Sequence, residues 1–213
     1  MSEFWEGMFQ KIGTMWQFEP ADSAIYACNL FAENDFKKIL IPGAGYGRNA
    51  NLFIESGFEV TGIEISATAI RLGRENGLEY KVHHGSVNRM PFDQTQYDGI
   101  FCYALIHLLN QNDRRKLIDN CYKQLRQGGI MVFTVVSKSY KLYGNGKAIS
   151  RDRFRTDNGL AVFFYDQESI KQEFGKYGKM EYREIDEPVK HHENEEPMKF
   201  YRVVYRKPTT NCD

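Results

Sequence analysis

The chain lacks the features by which several classes of protein are recognised. Its 213 residues carry 28 basic and 28 acidic side chains, so there is no excess of positive charge of the kind that drives binding to nucleic acid. No apolar run approaches the length of a membrane span. None of the four cysteines forms a Cys-x-x-Cys pair, which argues against a zinc knuckle and a thioredoxin-like redox site. A hydrophobic fraction of 42% and an aromatic fraction of 14% instead indicate a neutral globular protein.

The N-terminal residues and the cysteines bear on the cellular compartment. The chain begins with acidic and aromatic residues and lacks the basic start and apolar stretch of a secretory signal. We therefore expect a cytoplasmic protein with reduced thiols at Cys28, Cys102, Cys121 and Cys212.

Two pairs of adjacent histidines, His83-His84 and His191-His192, invite a metal interpretation. Neighbouring side chains in a strand point to opposite faces, so neither pair can chelate an ion from one face. No cysteine or Glu-x-x-His partner accompanies them. The sequence therefore predicts no metal site.

Strands and helices alternate along most of the chain. Apolar runs bounded by glycine or asparagine predict strands, and steps of three and four between apolar residues predict helices. The predicted strands cover residues 38–42, 58–65, 78–83, 98–103 and 130–136, and the helices between them cover residues 49–56, 67–75 and 112–127. This alternation predicts an α/β fold, a Rossmann-like doubly wound sheet with helices on both faces.

The two ends of the chain depart from that alternation. At the start, apolar residues at helical spacing over 4–18 predict one helix, and Asp22 is the expected cap of a second helix over 24–31. At the end, Asp166 is the expected cap of a helix through Phe174, and strands at 179–185 and 200–205 follow without a helix between them. Such strands most simply pair antiparallel. We expect one domain over 1–213, with a helical cover segment at 1–36 and the Rossmann-like core at 37–207.

The most informative stretch is the turn after the first predicted strand, Gly43-Ala44-Gly45-Tyr46-Gly47-Arg48. Glycines let a ligand lie against the backbone, and amides at a helix start donate to polar or anionic groups. The dinucleotide fingerprint would require its third glycine at Arg48, one residue after Gly47. A phosphate loop ending in Gly-Lys-Ser/Thr is absent. The turn therefore predicts a doubly wound fold but fits a pyrophosphate poorly.

A carboxylate at the end of the second predicted strand strengthens this interpretation. Glu64 lies 21 residues after Gly43. A carboxylate in that place can accept hydrogen bonds from both hydroxyls of an adenosine ribose. Together the turn and Glu64 favour a nucleoside site over an ordinary tight turn with a surface glutamate.

These residues resemble the class I S-adenosylmethionine-dependent methyltransferases, whose turn reads Gly-x-Gly-x-Gly and whose second strand ends in an acid. Residues 97–101 resemble the fourth strand of that family, and residues 125–132 resemble the lead into its fifth. The resemblance implies a seven-stranded sheet, mostly parallel with an antiparallel last strand. More narrowly, residues 47–50 and 57–66 resemble the small-molecule methyltransferases of the tellurite-resistance and thiopurine type.

The resemblance also implies a set of cofactor-binding residues for S-adenosylmethionine. The glycine turn would line the methionine and ribose parts, Glu64 would hold the ribose hydroxyls, and Ile65 would pack on the adenine. Ser86 and Val87 fall where the family often has an acid that binds the adenine amino group, and Ser86 can accept only a weaker, neutral hydrogen bond. Tyr103 would approach the sulfonium end. The full set is Gly43, Gly45, Tyr46, Gly47, Arg48, Glu64, Ile65, Ser86, Val87 and Tyr103.

Candidate catalytic residues lie just beyond the fourth predicted strand. They are Tyr103 and His107, and the unperturbed pKa of a histidine near neutrality suits a general base. The alternative is that His107 is a histidine at a helix start, satisfied by the backbone. A basic loop over 138–155 either steers an anionic substrate or is simply solvated. The N-terminal aromatic residues either cover the site or belong to the core.

The function implied by the resemblance is methyl transfer to a small-molecule acceptor, such as a thiol or another soft nucleophile. Three alternatives stay open: a nucleic-acid methyltransferase that uses the basic loop, a Rossmann-type NAD(P)-dependent oxidoreductase, and a nucleoside-binding module without activity. We expect no membrane partner, no nucleic-acid partner, and a monomer or homodimer.

Overall fold

A computed structural model describes residues 2–15, 17–188 and 196–209. Its strands are β1 (Lys38–Pro42), β2 (Glu59–Glu64), β3 (Lys81–His84), β4 (Tyr97–Cys102), β5 (Leu125–Val136), β6 (Lys147–Ser150), β7 (Arg153–Arg155), β8 (Ala161–Phe163), β9 (Met180–Glu187) and β10 (Met198–Arg206). Its helices are α1 (Ser2–Ile12), α2 (Asp22–Glu33), α3 (Arg48–Glu55), α4 (Ala67–Glu75), α5 (Gln111–Gln124) and α6 (Gln167–Phe174). The predictions about Trp16, His191-His192 and Cys212 fall outside the described residues.

Seven strands form the main sheet in the order β3-β2-β1-β4-β5-β10-β9. Strands β1 to β5 pair parallel, and β10 lies antiparallel between β5 and β9. The order reverses direction between β1 and β4, so the carboxyl ends of these strands border the crevice in which doubly wound folds bind ligands. This confirms the predicted seven-stranded α/β sheet with its antiparallel last strand.

Both faces of the sheet are covered, as the continuous apolar strands predict. Alternate residues of β1 divide between the two sides: Ile39 and Ile41 pack with α2 and α3, whereas Leu40 packs with α5 and α6. All three side chains are almost completely buried. The central strand is therefore fixed on both faces, and its carboxyl end holds the glycine turn in place.

Several element boundaries differ from those predicted. Helix α1 ends at Ile12, although helical spacing continues toward residue 18. Asp22 does not cap α2, because it is the first residue of the helix and Ala21 occupies the cap position. Helix α5 ends at Gln124, so Gly128 and Gly129 lie inside β5 instead of ending the helix. A Cβ on Gly129 would lie 2.8 Å from the carbonyl oxygen of Asp98, so glycine is needed there for the close approach of β4.

The segment predicted as a long loop contains a second sheet. Strands β6, β7 and β8 form an antiparallel sheet in that order. On one face Phe154 packs edge-on against Tyr143 and Phe164. These aromatic residues belong to a cluster that includes Val136 and Phe200 of the main sheet. The second sheet is thereby attached above the carboxyl end of β5.

Candidate functional site

The glycine turn folds back onto the neighbouring strand. The backbone N–H groups of Gly43 and Ala44 both donate to the carbonyl oxygen of Ile63, at 2.8 and 3.1 Å. Gly43, Gly45 and Gly47 all have positive φ angles, of 72°, 59° and 89°. This left-handed backbone is the conformation that glycine adopts without a steric penalty. The three glycines therefore fix the shape of the turn before α3 begins.

Glu64 joins this turn to the end of β2. One carboxylate oxygen accepts from the N–H of Gly45 at 2.8 Å, and the other accepts from the N–H groups of Ile65 and Ser66, each at 2.8 Å. The side chain is buried, which raises its pKa, while the three amides favour the charged form. A carboxylate offers about four acceptor positions. One acceptor position thus remains for a further donor. The sequence leads us to expect two hydrogen bonds, one from each ribose hydroxyl.

A side chain at each of the three turn glycines would meet different surroundings. A Cβ on Gly43 would lie 2.9 Å from Cδ2 of Leu105, and one on Gly47 would lie 2.8 Å from Cδ1 of Leu78. At Gly45 the nearest atom to such a Cβ is Cζ of Phe9, at 3.9 Å. The chain itself therefore requires glycine at 43 and 47, whereas at 45 a methyl group would fit between the turn and α1 without a clash.

A close contact with α4 also shapes the turn. A Cβ on Gly73 would lie 2.8 Å from the carbonyl oxygen of Tyr46. The ring of Tyr46 is buried and packs edge-on against Phe9 and Phe18, with ring centroids 6.1 and 5.3 Å away. Tyr46 therefore packs beneath the N-terminal segment. Arg48 begins α3, and its guanidinium carbon lies 5.8 Å from the ring centroid of Tyr103.

The region expected to hold adenine contains an acceptor that sequence reasoning missed. The Ser86 hydroxyl accepts from the N–H of Asn88 at 3.3 Å and so caps a short 3₁₀ turn, while Val87 is buried in the core. The Oδ1 atom of Asn88 is buried and has no hydrogen-bond partner among the described residues. Asn88, Ser86 and Ile65 line the same cavity. The residues present therefore fit an adenine, with a neutral amide close to where the family has an acid.

The two candidate catalytic residues are both largely buried. Tyr103 stacks on Phe101, and burial together with the nearby Glu187 carboxylate raises the pKa of its hydroxyl. His107 packs against Phe200, and burial lowers its pKa from 6.5 to about 3. The Nδ1 atom of His107 has no partner in the described part of the chain, so the backbone does not satisfy that nitrogen. His107 is thus a neutral imidazole at physiological pH.

This buried imidazole has a consequence for stability in mild acid. In the unfolded chain His107 is protonated below about pH 6.5, whereas in the folded chain it is protonated only near pH 3. Stability contributed by the neutral ring is therefore lost as the pH falls through this window, at up to about 1.4 kcal/mol per pH unit. We expect His107→Phe to flatten the fall of unfolding free energy between pH 6.5 and about 4 in urea titrations. His84→Gln, at an exposed position, is the control, and parallel curves for wild type and His107→Phe would contradict the assignment.

Helix α1 is attached to the site by a carboxylate. The side chain of Glu6 accepts from the hydroxyls of Ser66 and Thr68 at 2.7 and 2.6 Å, at the N-terminus of α4. The Thr68 hydroxyl, followed by that of Ser66, lowers the pKa of Glu6 to about 2. An anion in this position also complements the partial positive charge of the helix end. Farther along α1, Phe9 is buried against Tyr46, whereas Phe4 lines the cavity. The N-terminal aromatic residues therefore include both core and cavity-lining side chains.

The basic loop carries less free charge than its composition suggests. Lys138 pairs with Asp152 at 2.8 Å and with Asp166 at 2.6 Å. Lys141 pairs with Glu196 at 3.5 Å. Two of these three carboxylates come from outside the loop, which the local sequence could not reveal. Arg153 and Arg155 of β7 face a cavity instead.

That cavity has a volume of about 750 Å³ and opens beside Ile65 and Ser86. Helix α1, the start of α5 and the second sheet form its other walls. In the described ranges no group of three or more histidine, cysteine, aspartate or glutamate side chains could hold a metal ion. None of the helices described combines the length and the apolar composition that crossing a membrane requires.

The sequence of this chain is similar to those of known methyltransferases. A family model described as "Methyltransferase domain" matches residues 39–129. The chain is 27% identical over 145 residues to a glycine/sarcosine/dimethylglycine N-methyltransferase of Actinopolyspora halophila, covering 60% of this chain and 26% of that protein. It is 23% identical over 184 residues to a glycine/sarcosine N-methyltransferase of Aphanothece halophytica, covering 78% and 69%. A tRNA N(3)-methylcytidine methyltransferase, Mettl2 of Drosophila melanogaster, is 25% identical over 170 residues, covering 72% and 52%.

Solved structures share the fold at low sequence identity. A 1,6-didemethyltoxoflavin-N1-methyltransferase of Burkholderia thailandensis superposes with a TM-score of 0.71 at 14% identity, covering 98% of this chain and 87% of that one. TehB of Haemophilus influenzae superposes with a TM-score of 0.65 at 18% identity, covering 95% and 67%. At such identities the likeness establishes the fold.

Proposed function

Because this chain carries a methyltransferase domain with the class I S-adenosylmethionine-dependent fold, we propose that it transfers a methyl group from S-adenosylmethionine to a small-molecule acceptor. The observation that carries the proposal is the hydrogen bond from Gly45 to Glu64, which holds the glycine turn and the acid next to each other at the carboxyl edge of the sheet. Two of the relatives are named for methylation of glycine and sarcosine, and a structural neighbour is named for a toxoflavin precursor. These names support a small acceptor.

In this proposal the cofactor occupies the carboxyl edge of β1, β2 and β4. Gly45 and the N-terminus of α3 contact its amino-acid part, Glu64 accepts from a ribose hydroxyl, and Ile65 packs on the adenine. Asn88 supplies the acceptor for the adenine amino group beside Ser86. Tyr103 lies near the reacting methyl group, with Arg48 over its ring.

Bound S-adenosylmethionine supplies a methyl group that is already electrophilic, because it is carried by a sulfonium. The chain therefore has to align the acceptor in line with that methyl group and exclude water. Burial of Tyr103 and His107 provides a dry site for this purpose. With its low pKa, His107 is a weak base, which suits an acceptor that needs little deprotonation. A thiol is such an acceptor, since its thiolate is accessible near neutral pH.

The N-terminal segment, residues 1–36, serves in this proposal as the cover of the site. Helix α1 crosses the carboxyl edge and is held by Glu6 on one side and by Phe9 on the other. Exchange of ligands then requires α1 to move away from α4.

A nucleic-acid methyltransferase is the second candidate, because one relative is named for tRNA cytidine. Pairing of Lys138 and Lys141 with carboxylates weakens it, since these two of the six basic side chains of the loop are already engaged and less available to phosphates. A steep salt dependence of RNA binding would favour this candidate. A nicotinamide-dependent reductase would be favoured by thermal stabilisation with NAD(P) and not with S-adenosylhomocysteine.

The deciding experiment is release of S-adenosylhomocysteine across a panel of thiols, amines, carboxylates and RNA. The proposal expects turnover with at least one small molecule and none with RNA. Binding of S-adenosylhomocysteine without turnover on any acceptor would favour a nucleoside-binding module instead.

A substitution at the open glycine tests the cofactor position. We expect Gly45→Ala to reduce binding of S-adenosylhomocysteine at least tenfold in calorimetry, because a methyl group would occupy the space above the turn. Gly57→Ala is the matched control, since Gly57 also has a positive φ, of 85°, with no atom near its Cβ position. Both variants carry similar backbone strain. Equal affinity of the two variants would remove the turn from the cofactor site.

A further inference from the structure

The cavity at the carboxyl edge extends well beyond the residues assigned to the cofactor. Its volume of about 750 Å³ lies within the range typical of sites for small ligands. Ile65 and Ser86 belong to the expected adenine region, whereas Arg153, Arg155 and Leu160 come from the second sheet. The cavity thus joins the cofactor region to an element that the cofactor does not explain.

Positive charge dominates the lining of this cavity. Arg89, Arg153 and Arg155 all line it, and no carboxylate of the described residues lies within ion-pair distance of any of them. The carboxylate in the lining, Asp113, accepts from the side-chain amide of Asn110 at 2.6 Å. The guanidinium of Arg155 donates to the carbonyl oxygen of Gly159 at 3.1 Å, a neutral partner.

Arg153 is the most unusual of the three arginines. Its Nε atom is buried and donates to no acceptor in the described part of the chain. Burial lowers the pKa of Arg153, and the positive charges of Arg114 and Arg155 act in the same direction, whereas the Asp113 carboxylate opposes them. A buried donor without an acceptor costs free energy that an incoming acceptor recovers. An anion that accepts a hydrogen bond from this guanidinium would therefore be bound favourably.

The fold itself holds Arg153 and Arg155 at the cavity. Both lie on β7, two residues apart, so their side chains leave the same face of the strand. Phe154 between them points the other way and is anchored among Tyr143 and Phe164. Strand β8, which pairs with β7, also contacts the turn over 106–108 that follows β4. The arginines thereby adjoin the region of His107 and Leu108.

We propose that Arg153 and Arg155, together with Arg89, bind an anionic group of the methyl acceptor, either a carboxylate or a phosphate. This inference rests on the proposed function for the identity of the ligand as the acceptor. A planar guanidinium matches both anions through paired N–H donors. An acceptor with a cationic group in the same place is disfavoured by repulsion from three arginines.

Binding of simple anions to the protein saturated with S-adenosylhomocysteine tests the site directly. The probes are benzoate, phenyl phosphate and the neutral benzyl alcohol, with dissociation constants from thermal-shift titrations. We expect one of the anions to bind about tenfold or more tightly than the alcohol, and Arg153→Gln to abolish that preference. The tighter anion identifies the carboxylate or phosphate class. Arg151→Gln is the matched control, because Arg151 is exposed on the neighbouring turn and loses the same charge.

Turnover then tests the link to the acceptor. We expect a higher kcat/KM for 3-mercaptopropionate than for 2-mercaptoethanol, and Arg153→Gln to reduce that ratio about tenfold through KM. No preference for anions in the wild type, or an equal preference in Arg153→Gln, overturns the site. If the arginines bind anions but Arg153→Gln leaves the ratio of kcat/KM for the two thiols unchanged, the anion site does not bind the methyl acceptor. If S-adenosylhomocysteine does not bind, the proposed function is wrong. The anions are then titrated without S-adenosylhomocysteine, and that titration still shows whether the arginines bind an anion.

Discussion

Replacing Glu173 with alanine is expected to lower the free energy of unfolding by about 3–5 kcal/mol. Glu173 lies on α6 and accepts from Nε and Nη2 of Arg114 at 2.9 and 2.7 Å, and from the hydroxyl of Tyr165 at 2.7 Å. Arg114 and Glu173 are 3% and 8% exposed in their side chains. Without the carboxylate, a buried guanidinium would be left without its counter-charge, which is the costly case for an ion pair.

A double substitution separates this cost from a simple loss of packing. We expect Arg114→Leu combined with Glu173→Leu to recover part of the stability, because an apolar pair leaves no buried charge unpaired. The Tyr165 hydroxyl still loses its acceptor, so recovery is incomplete. Urea unfolding of the wild type, Arg114→Leu, Glu173→Leu and the double variant measures the coupling free energy between the two side chains. A Glu173→Ala protein as stable as the wild type, or single effects that simply add, would show that the pair does not behave as a buried unit.

Replacing Glu64 with alanine should weaken binding of S-adenosylhomocysteine by about tenfold to a hundredfold. In the proposed cofactor site, this change removes a hydrogen bond between a carboxylate and a ribose hydroxyl, worth about 1.5–3 kcal/mol. The same change removes the acceptor of three backbone N–H groups, those of Gly45, Ile65 and Ser66. A loss of stability of about 1–3 kcal/mol is therefore expected as well, from donors left without partners.

Calorimetry and thermal melting distinguish the two effects. Glu59→Ala, at the exposed start of the same strand, is the control and should change neither quantity appreciably. Melting at a lower temperature with unchanged affinity would mean that Glu64 only shapes the turn. Unchanged affinity together with unchanged melting would remove Glu64 from the site altogether.

The parts of the fold that the sequence predicts well are those in which local signals and burial agree. Strand β1 and helix α4 occupy the predicted residues. Helix α4 begins where the hydroxyl of Ser66 accepts from the N–H of Ala69 at 3.0 Å, and it ends before Asn76-Gly77. For α6, the predicted cap is confirmed, because Asp166 accepts from the N–H of Ser169 at 2.8 Å. Each of these signals depends on residues only a few positions apart.

The second sheet was not predicted, because the contacts that stabilise it join residues far apart in the sequence. Strands β6 to β8 are three or four residues long, and β6 is exposed at every position. Residues of β7 and β8 pack in a hydrophobic cluster that includes residues far along the chain, such as Phe200. The contacts of Lys138 with Asp152 and Asp166 depend likewise on where distant residues meet. Charge composition alone therefore overstated how basic this surface is.

The candidate site was predictable where one short pattern carries it. The glycine turn and Glu64 lie together at the expected edge, in contact through Gly45. Asn88 was not predictable, because an unsatisfied buried atom becomes visible only when its surroundings are known. The sequence indicated the basic loop as one that could steer an anion, but not which of its basic residues line the cavity. The assignments of cofactor-binding and catalytic roles to individual residues stay predictions for the experiments above.

The contact between Gly73 and Tyr46 implies that two distant segments must change in concert. The carbonyl oxygen of Tyr46 would lie 2.8 Å from a side-chain carbon at position 73, so any larger residue there would displace the turn. The conformation of the turn is therefore constrained by helix α4, which lies outside the Gly43–Gly47 motif. If the turn binds the cofactor as proposed, a larger residue at position 73 weakens that binding, although no motif includes Gly73. The shape of the binding turn is thus encoded partly outside it.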